Sequence, residues 1–426
     1  MSSLQFYAAI AIFLATYAVI AFSKIPRLHL DRPGAAICGA VLMVACGVLS
    51  FDEAWQAIDS HTITLLLGMM ILNALLEESG FFELAAEFVL DRASSPVALL
   101  AGLSVLSGVL SALFLNDTVC LMLTVPVLAI VRHSRLRAAP YLIALAMSAN
   151  IGSVMTVVGN PQNMLIAGYS DWTYARFFFW MAPSGIVGTA IMAGVLAWLY
   201  RGELQLQTGN DAPQDHRPSI EPQVDRVLLA KSLLVLGGVL MAFILVGDLS
   251  LMALVGAVTL LIISRRPTAE VLARVDWVLL AFFAGLFVVV RGLEQTGVVK
   301  DVAGTLQPMY GETLATQIPV FTTATVIGSN LVSNVPLVVL AKSIVPQLIE
   351  PELMWLVLAM ASTLAGNLTI PGSVATLIVL ETAKRAPTGR ETIGFFEFLR
   401  VGIPVTLLTT TAGAILLAVE HMVFAR

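Results

Sequence analysis

A polar segment is written twice in an otherwise apolar chain. Residues 144–168 read ALAMSANIGSVMTVVGNPQNMLIAG, and 213 positions later residues 357–381 read VLAMASTLAGNLTIPGSVATLIVLE. Leu145, Ala146, Met147, Thr156 and Gly159 recur at that offset as Leu358, Ala359, Met360, Thr369 and Gly372. Of the 426 residues, 58% are hydrophobic and only 12% charged, against about 25% charged in a soluble domain, so the chain is an integral membrane protein. A bilayer tolerates irregular polar backbone only where protein shields it or water lines it. Two such interruptions at matching places in two halves point to a solute site near the midplane.

Apolar stretches approaching the ~20 residues that span a bilayer lie near 4–24, 33–50, 61–76, 141–168, 178–200, 226–246, 249–264, 276–293, 353–382 and 401–424. Two further runs, 96–134 and 317–349, are each interrupted by a polar tip, LNDT at 115–118 and SNVP at 333–336. These read as re-entrant hairpins that enter and leave on one side. The expected fold is an all-α polytopic membrane protein with about ten transmembrane helices, two re-entrant hairpins and two broken helices. The first stretch is too long for a signal-peptide core and lacks a basic leader and a cleavage site, so it is kept as a mature helix.

Basic residues test this scheme. With both termini outside, inside loops hold 18 of the 23 Lys and Arg, leaving Arg176, Arg291, Lys300, Lys342 and Arg426 outside. Lys24, Arg27 and Arg32, then Arg132, Arg135 and Arg137, then Arg265, Arg266 and Arg274, then Lys384, Arg385, Arg390 and Arg400 all fall inside. That is the positive-inside pattern of a multi-pass protein of the cell (inner) membrane. Reading either hairpin as a full span would scatter it. Outside the duplicated segment, LEESG at 76–80 resembles LEQTG at 293–297, and Asn116 aligns with Asn334. Five crossings separate equivalent points, so the second copy is inverted, an architecture of many secondary transporters. The expected divisions are an N-terminal helix at 1–32, a first repeat at 33–200, a cytoplasmic linker at 201–225, a connecting helix at 226–248 and a second repeat at 249–426. The Pro, Gln and Asp content of 201–225 suggests a flexible loop.

Three cysteines are too few for a disulfide framework. Cys38 and Cys46 read as small residues of a packed helix. No nucleotide-binding loop, zinc spacing or nucleophile motif occurs, so no metal, cofactor or catalytic residue is expected and no nucleic-acid partner. An ion channel is disfavoured, because filters are usually symmetric rings of carbonyls or charges.

Each mid-membrane break looks like a helix start. Asn160 precedes Pro161, Asn334 lies two residues before Pro336, Ser373 precedes VATLIVL, and 116–118 precede VCLMLTVPV. Asn and Ser are favoured N-caps, and Pro suits the first turn. Converging N-termini would offer free N–H donors and partial positive charge to an oxygen-rich solute. Asn116, Thr118, Asn150, Thr156, Asn160, Asn163, Ser333, Asn334, Asn367, Thr369, Ser373 and Thr376 are the candidate lining. Asp117, an acid well inside an apolar run, costs about 2.5–3.5 kcal/mol to insert and is a functional candidate by default; it is the expected proton carrier. Asp is also a common N-cap, and both readings stand on sequence alone. Lys342 either snorkels to the outer interface or attracts an anion. His61 reads as interfacial, and Glu77, Glu78, Arg291 and Glu294 as markers of span ends. No arginine falls at the breaks, so no bidentate carboxylate clamp is expected.

At LNDTVCLMLTVP (115–126), ANIGSVMTVVGNPQNMLIAG (149–168), SNLVSNVP (329–336) and GNLTIPGSVATLIVL (366–380) the chain resembles the ion-transporter superfamily, most closely its ArsB/NhaD-like branch. The likeness runs over both halves. It implies a proton- or sodium-coupled carrier that works by alternating access of a hairpin-bearing domain. Relatives of this kind carry arsenite and antimonite, silicic acid, or anions, and the GNPQN string at 159–163 looks like the silicic-acid and anion-permease members. The dicarboxylate branch shows Ser-Asn-Thr at both tips; Asp117 replaces Asn at the first, which suits proton coupling. The expectation is an exporter of a small metalloid hydroxide driven by the proton motive force. Sodium- or proton-coupled symport of an oxyanion or dicarboxylate and sodium/proton exchange are the alternatives, and a soluble ATPase subunit and a homodimer are compatible partners.

Overall fold

The computed structural model describes residues 2–22, 24–25, 30–206, 224–385 and 393–424. The first half runs α1 (Ser3–Phe22), α2 (Arg32–Ala45), α3 (Phe51–Ala57), α4 (Ser60–Glu78), α5 (Phe81–Arg92), α6 (Pro96–Leu113), α7 (Asn116–His133), α8 (Ala138–Ser153), α9 (Pro161–Tyr169), α10 (Tyr174–Leu199) and α11 (Arg201–Leu206). The second runs α12 (Arg226–Leu245), α13 (Leu249–Ser264), α14 (Thr268–Leu272), α15 (Trp277–Glu294), α16 (Val298–Leu306), α17 (Leu314–Val332), α18 (Asn334–Ala341), α19 (Pro351–Ala365), α20 (Val374–Arg385) and α21 (Phe395–Phe424). The only strand pairing among the described residues is Lys24–Ile25 with Leu30–Asp31.

The element order is the same in both halves: two spans, a short helix, a span, a second short helix, a hairpin, a broken helix and a last long span. Among the described residues, eight continuous spans and two broken ones match the expected ten. The repeat is also visible in packing. α2 lies against α15 and α13 against α4, and at both crossings a glycine meets an alanine backbone. A Cβ on Gly285 would stand 2.7 Å from the carbonyl carbon of Ala36, and one on Gly68 2.7 Å from that of Ala253. Both pairs obey one offset of 217 residues. Small residues let helices approach closely where lipid supplies no hydrophobic drive between them.

Span starts are set by caps. Asp59, Asp225, Asp248 and Asp276 each accept a backbone N–H of their own helix's first turn, and Ser95 does so ahead of Pro96. Each such cap stabilises its helix by about 1 kcal/mol. α12 turns Leu234 and Leu245 outward, 76% and 74% exposed, as a helix in lipid does. In contrast, all of α8 is buried, and so is α19 from Leu353 to Ala365. The two broken helices therefore form the protected centre, where a polar sequence can sit. α6 is long enough to cross a bilayer; what makes it re-entrant is that its tip meets the break of α8.

Several local expectations change. The 201–225 segment begins as a helix, α11, and residues 207–223 lie outside the described residues, as do Arg27, Arg390 and Arg426. The amphipathic connectors α5 and α16 join spans to hairpins. Cys38 on α2 and Cys46 at its C-cap are exposed rather than packed, and Cys120 is buried. α7 starts at Asn116, not after it, and α18 starts at Asn334, so neither asparagine caps its helix. The turns at Phe114–Leu115 and at Ser333 come one or two residues earlier than the polar strings suggested.

Candidate functional site

The break between α8 and α9 is held by its own amides. Asn160 Oδ1 accepts from Asn163 N at 2.8 Å, capping α9 ahead of Pro161. Asn163 Nδ2 donates to the carbonyls of Ser153 (3.0 Å) and Thr156 (2.9 Å), satisfying oxygens that the end of α8 leaves free. Thr156 Oγ1 donates to the Ala112 carbonyl at 2.6 Å, which fixes the first hairpin to the break. The second break uses a residue from its hairpin instead. Asn330 Nδ2 donates to the Ala365 carbonyl at 3.0 Å, and Thr369 Oγ1 donates to Asn330 Oδ1 at 3.1 Å.

A chain of buried amides joins the two halves. Asn116 Nδ2 donates to Asn150 Oδ1, Asn150 Nδ2 to Asn367 Oδ1, and Ser373 Oγ to Asn150 Oδ1, each at 3.0 Å. Asn150 thus touches the first hairpin, its own broken helix and the second broken helix. Asn150→Ala leaves Asn116, Asn367 and Ser373 each short of a partner. A buried polar group without one costs about 1–3 kcal/mol, so the variant is expected to melt at a clearly lower temperature in detergent. An unchanged melting curve would show that the amide chain is not structural.

Beside this chain lies a cavity of about 390 Å³. Six helices bring their N-terminal ends to its wall: α2 at Asp31–Pro33, α7 at Asn116 and Asp117, α9 at Pro161 and Gln162, α15 at Asp276, α18 at Ser333 and Asn334, and α20 at Ser373 and Val374. Asp31 and Asp276 cap their own helices. Asp117 is half-buried in the first turn of α7 and caps nothing; the N-cap position belongs to Leu115, and among the described residues no hydrogen bond or ion pair reaches the Asp117 carboxylate. Ser333 holds φ +76°, ψ 157°, a region favourable only to glycine and a strain of about 1–3 kcal/mol, at the tip that faces the cavity.

Of the residues singled out from the sequence, Asn116, Asp117, Ser333, Asn334 and Ser373 line the cavity. Asn150 and Asn367 stand behind it in the amide chain. Asn160, Asn163, Thr156 and Thr369 hold the breaks, Thr376 is buried without a hydrogen-bond partner among the described residues, and Thr118 lies one residue past Asp117 without reaching the wall. Asn334 Oδ1 accepts from Ser329 Oγ at 2.6 Å. The sequence reading missed Asp31, Arg32, Gln162, Asp276 and Glu381, all in the wall. It also expected no arginine near the site, yet Arg32 lines it, with Nε donating to the Ile20 carbonyl at 3.1 Å. The structure shows Asp31 and Asp276 as caps at span starts, and nothing in a linear sequence shows that those starts face the hairpin tips. Ser329 and Asn330 lie within the SNLVSNVP string itself.

Glu77 and Glu78 do pair at span ends, with Arg274 and Arg266, and Arg291 pairs with Glu294 at 3.5 Å. His61 is exposed at the start of α4.

Comparison with known proteins gives this arrangement a context. A 46 kDa membrane protein of Mycobacterium leprae is 32% identical over 97% of this chain and 99% of its own. The silicon efflux transporter LSI3 of rice, Oryza sativa subsp. japonica, is 30% identical over 92% of this chain and 93% of its own. The crystal structure of the Alcanivorax borkumensis YdaH transporter superposes with a TM-score of 0.59 at 16% identity, covering 98% of this chain and 97% of that one, a likeness of fold. Residues 17–365 match the family described as citrate transporter, CitMHS. The chain is a membrane transporter and belongs to the CitMHS family of the ArsB/NhaD-type ion transporter superfamily.

Proposed function

We propose that this transporter exports a small neutral metalloid hydroxide, arsenite or antimonite, in exchange for protons. The observation that carries the reading is the charge balance of the cavity. Asp31, Asp117, Asp276 and Glu381 against Arg32 give four carboxylates minus one guanidinium, a formal charge of −3. Six helix N-termini at about half a positive charge each offset that almost completely. A near-neutral cavity that offers the amides of Asn116, Gln162 and Asn334 and the hydroxyls of Ser333 and Ser373 among apolar side chains such as Leu279, Phe282 and Ile378 suits an uncharged polyol of arsenic or antimony, which hydrogen-bonds without a counter-ion. A tricarboxylate would need an excess of positive charge. Rice LSI3, named for silicon efflux, supports the same solute class.

Asp117 is the coupling group in this scheme. It sits on the first hairpin tip, at the cavity, free of structural hydrogen bonds. When solute and proton compete for that site, each lowers the other's affinity by the same factor, and inward proton flow expels the solute. With the sidedness set by the basic loops, both termini are outside and the cavity mouth, beside Arg32 and Glu381, faces the cytoplasm of a cell (inner) membrane. The proton gradient is the energy source. The repeats proposed from the sequence, 33–200 and 249–426, carry one hairpin and one broken helix each.

Arg32 favours a second reading, sodium- or proton-coupled uptake of an oxyanion or dicarboxylate. Proteoliposomes with an imposed pH gradient separate the two. Arsenite flux that follows the gradient without sodium is expected. No arsenite flux, with sodium-dependent sulfate or dicarboxylate uptake in its place, would overturn the proposal.

A further inference from the structure

A second cavity of about 280 Å³ is lined by Gln56, Asp59, Tyr169, Glu294, Val339 and Lys342, among others. Three helices line both cavities, each with opposite ends. α15 gives the residues from Asp276 to Phe283 to the first and those from Phe287 to Glu294 to the second. α9 gives Pro161 and Gln162 to the first and Tyr169 to the second, and α18 gives Ser333–Val335 and then Val339 and Lys342. The two cavities therefore lie at opposite ends of the same three helices. On α15 and α18 the nearest residues of the two walls are one helical turn apart, roughly 6 Å at 1.5 Å per residue, and on α9 about two turns. Phe283 and Phe287, with ring centroids 6.4 Å apart, and Val335 and Val339 form this thin apolar septum.

Two hydrogen bonds tie α18 across the boundary. Tyr17 Oη, from α1 and 5% exposed, donates to the Pro336 carbonyl at 3.1 Å. Ser343 Oγ, just past α18, donates to Glu294 Oε1 of α15 at 3.3 Å. Lys342 takes no part in this: its Nζ lies 4.9 Å from the centre of the Tyr169 ring, beside the second cavity.

We propose that the second cavity is the other half of the permeation path, and that the Tyr17–Pro336 and Glu294–Ser343 bonds are the gate that closes it off from the first cavity. Both bonds must break for α18 to leave α1 and α15 and turn Ser333–Val335 toward the second cavity. The Tyr17 hydroxyl is a positioning group and needs no contact with solute. The inference rests on the transporter reading but not on which solute is carried.

The test uses thiol chemistry and no substrate. In a background with Cys38, Cys46 and Cys120 replaced by Ala, single cysteines are placed by Val278→Cys (first cavity), Gln56→Cys (second cavity) and Val335→Cys (septum). A membrane-impermeant methanethiosulfonate is then applied to right-side-out and inverted vesicles. Positions 278 and 335 are expected to react from one face and position 56 from the other. Adding Tyr17→Phe, or separately Ser343→Ala, should raise labelling of position 335 from the second-cavity face by about two- to tenfold, the factor one hydrogen bond sets. Unchanged labelling of position 56 in the same vesicles reports that the variant is folded. Position 56 reacting from the same face as 278 would overturn the proposal, and so would no change at 335 in either gate variant. If arsenite flux is absent while the labelling pattern appears, only the solute assignment fails.

Discussion

Asp117→Asn is expected to reduce pH-gradient-driven solute flux in proteoliposomes to the level of empty vesicles. The substitution keeps shape and removes only the titrating group. Because the carboxylate receives no hydrogen bond or ion pair from the described residues and caps no helix, its charge favours folding only through the N-terminal end of α7, by about 0.3–1 kcal/mol. A charge inside the bilayer costs about 2.5–3.5 kcal/mol on insertion scales, so the variant should melt no lower than the parent protein in detergent. The pairing of lost flux with retained stability identifies a coupling group. Flux that persists in Asp117→Asn would remove this carboxylate from the mechanism, and lost flux with a lowered melting temperature would make its role structural.

Gly285→Val and Gly68→Val are expected to destabilise the protein strongly and by similar amounts. At both positions the missing Cβ is occupied by the partner backbone: atoms of Ala36 at 2.7 and 2.8 Å from a Cβ on Gly285, and atoms of Ala253 at 2.7 and 2.9 Å from one on Gly68. A backbone cannot rotate aside as a side chain can, so the helices must separate along their crossing. Overpacking alone costs about 1–3 kcal/mol, and a valine adds two further methyl groups. Thermal unfolding in detergent, followed by the monodisperse fraction on size exclusion, measures it. Tolerance at one site with collapse at the other would show that the two crossings are not equivalent.

The pair α2–α15 and α4–α13 also shows what a linear reading misses. The repeat was legible where polar residues interrupt apolar sequence, at 144–168 and 357–381, because such interruptions are costly in lipid. It was illegible at Gly68, Ala253, Ala36 and Gly285, since a glycine or an alanine in an apolar helix carries no signal about the helix it will face. The same limit applies to Asp31 and Asp276. Each announces a helix start by its cap chemistry, but only packing turns that start toward the hairpin tips. For Asn116 and Asn334 the sequence located the tips and misplaced the helix ends, because the turns at Phe114–Leu115 and Ser333 carry no Gly or Pro to mark them.

Hydropathy and the placing of polar interruptions were enough to put the chain in a membrane, to show an inverted repeat and to locate its helix breaks. Those properties follow from hydrophobicity, which is local and additive, and from the cost of free polar backbone in lipid. Packing was needed to show that Asn150 links both halves, that Asp117 is free of capping duty, that Arg32 belongs to the cavity wall, and that a second cavity lies at the other end of α9, α15 and α18. Those depend on which helix ends meet, which is fixed by long-range packing between segments some 200 residues apart.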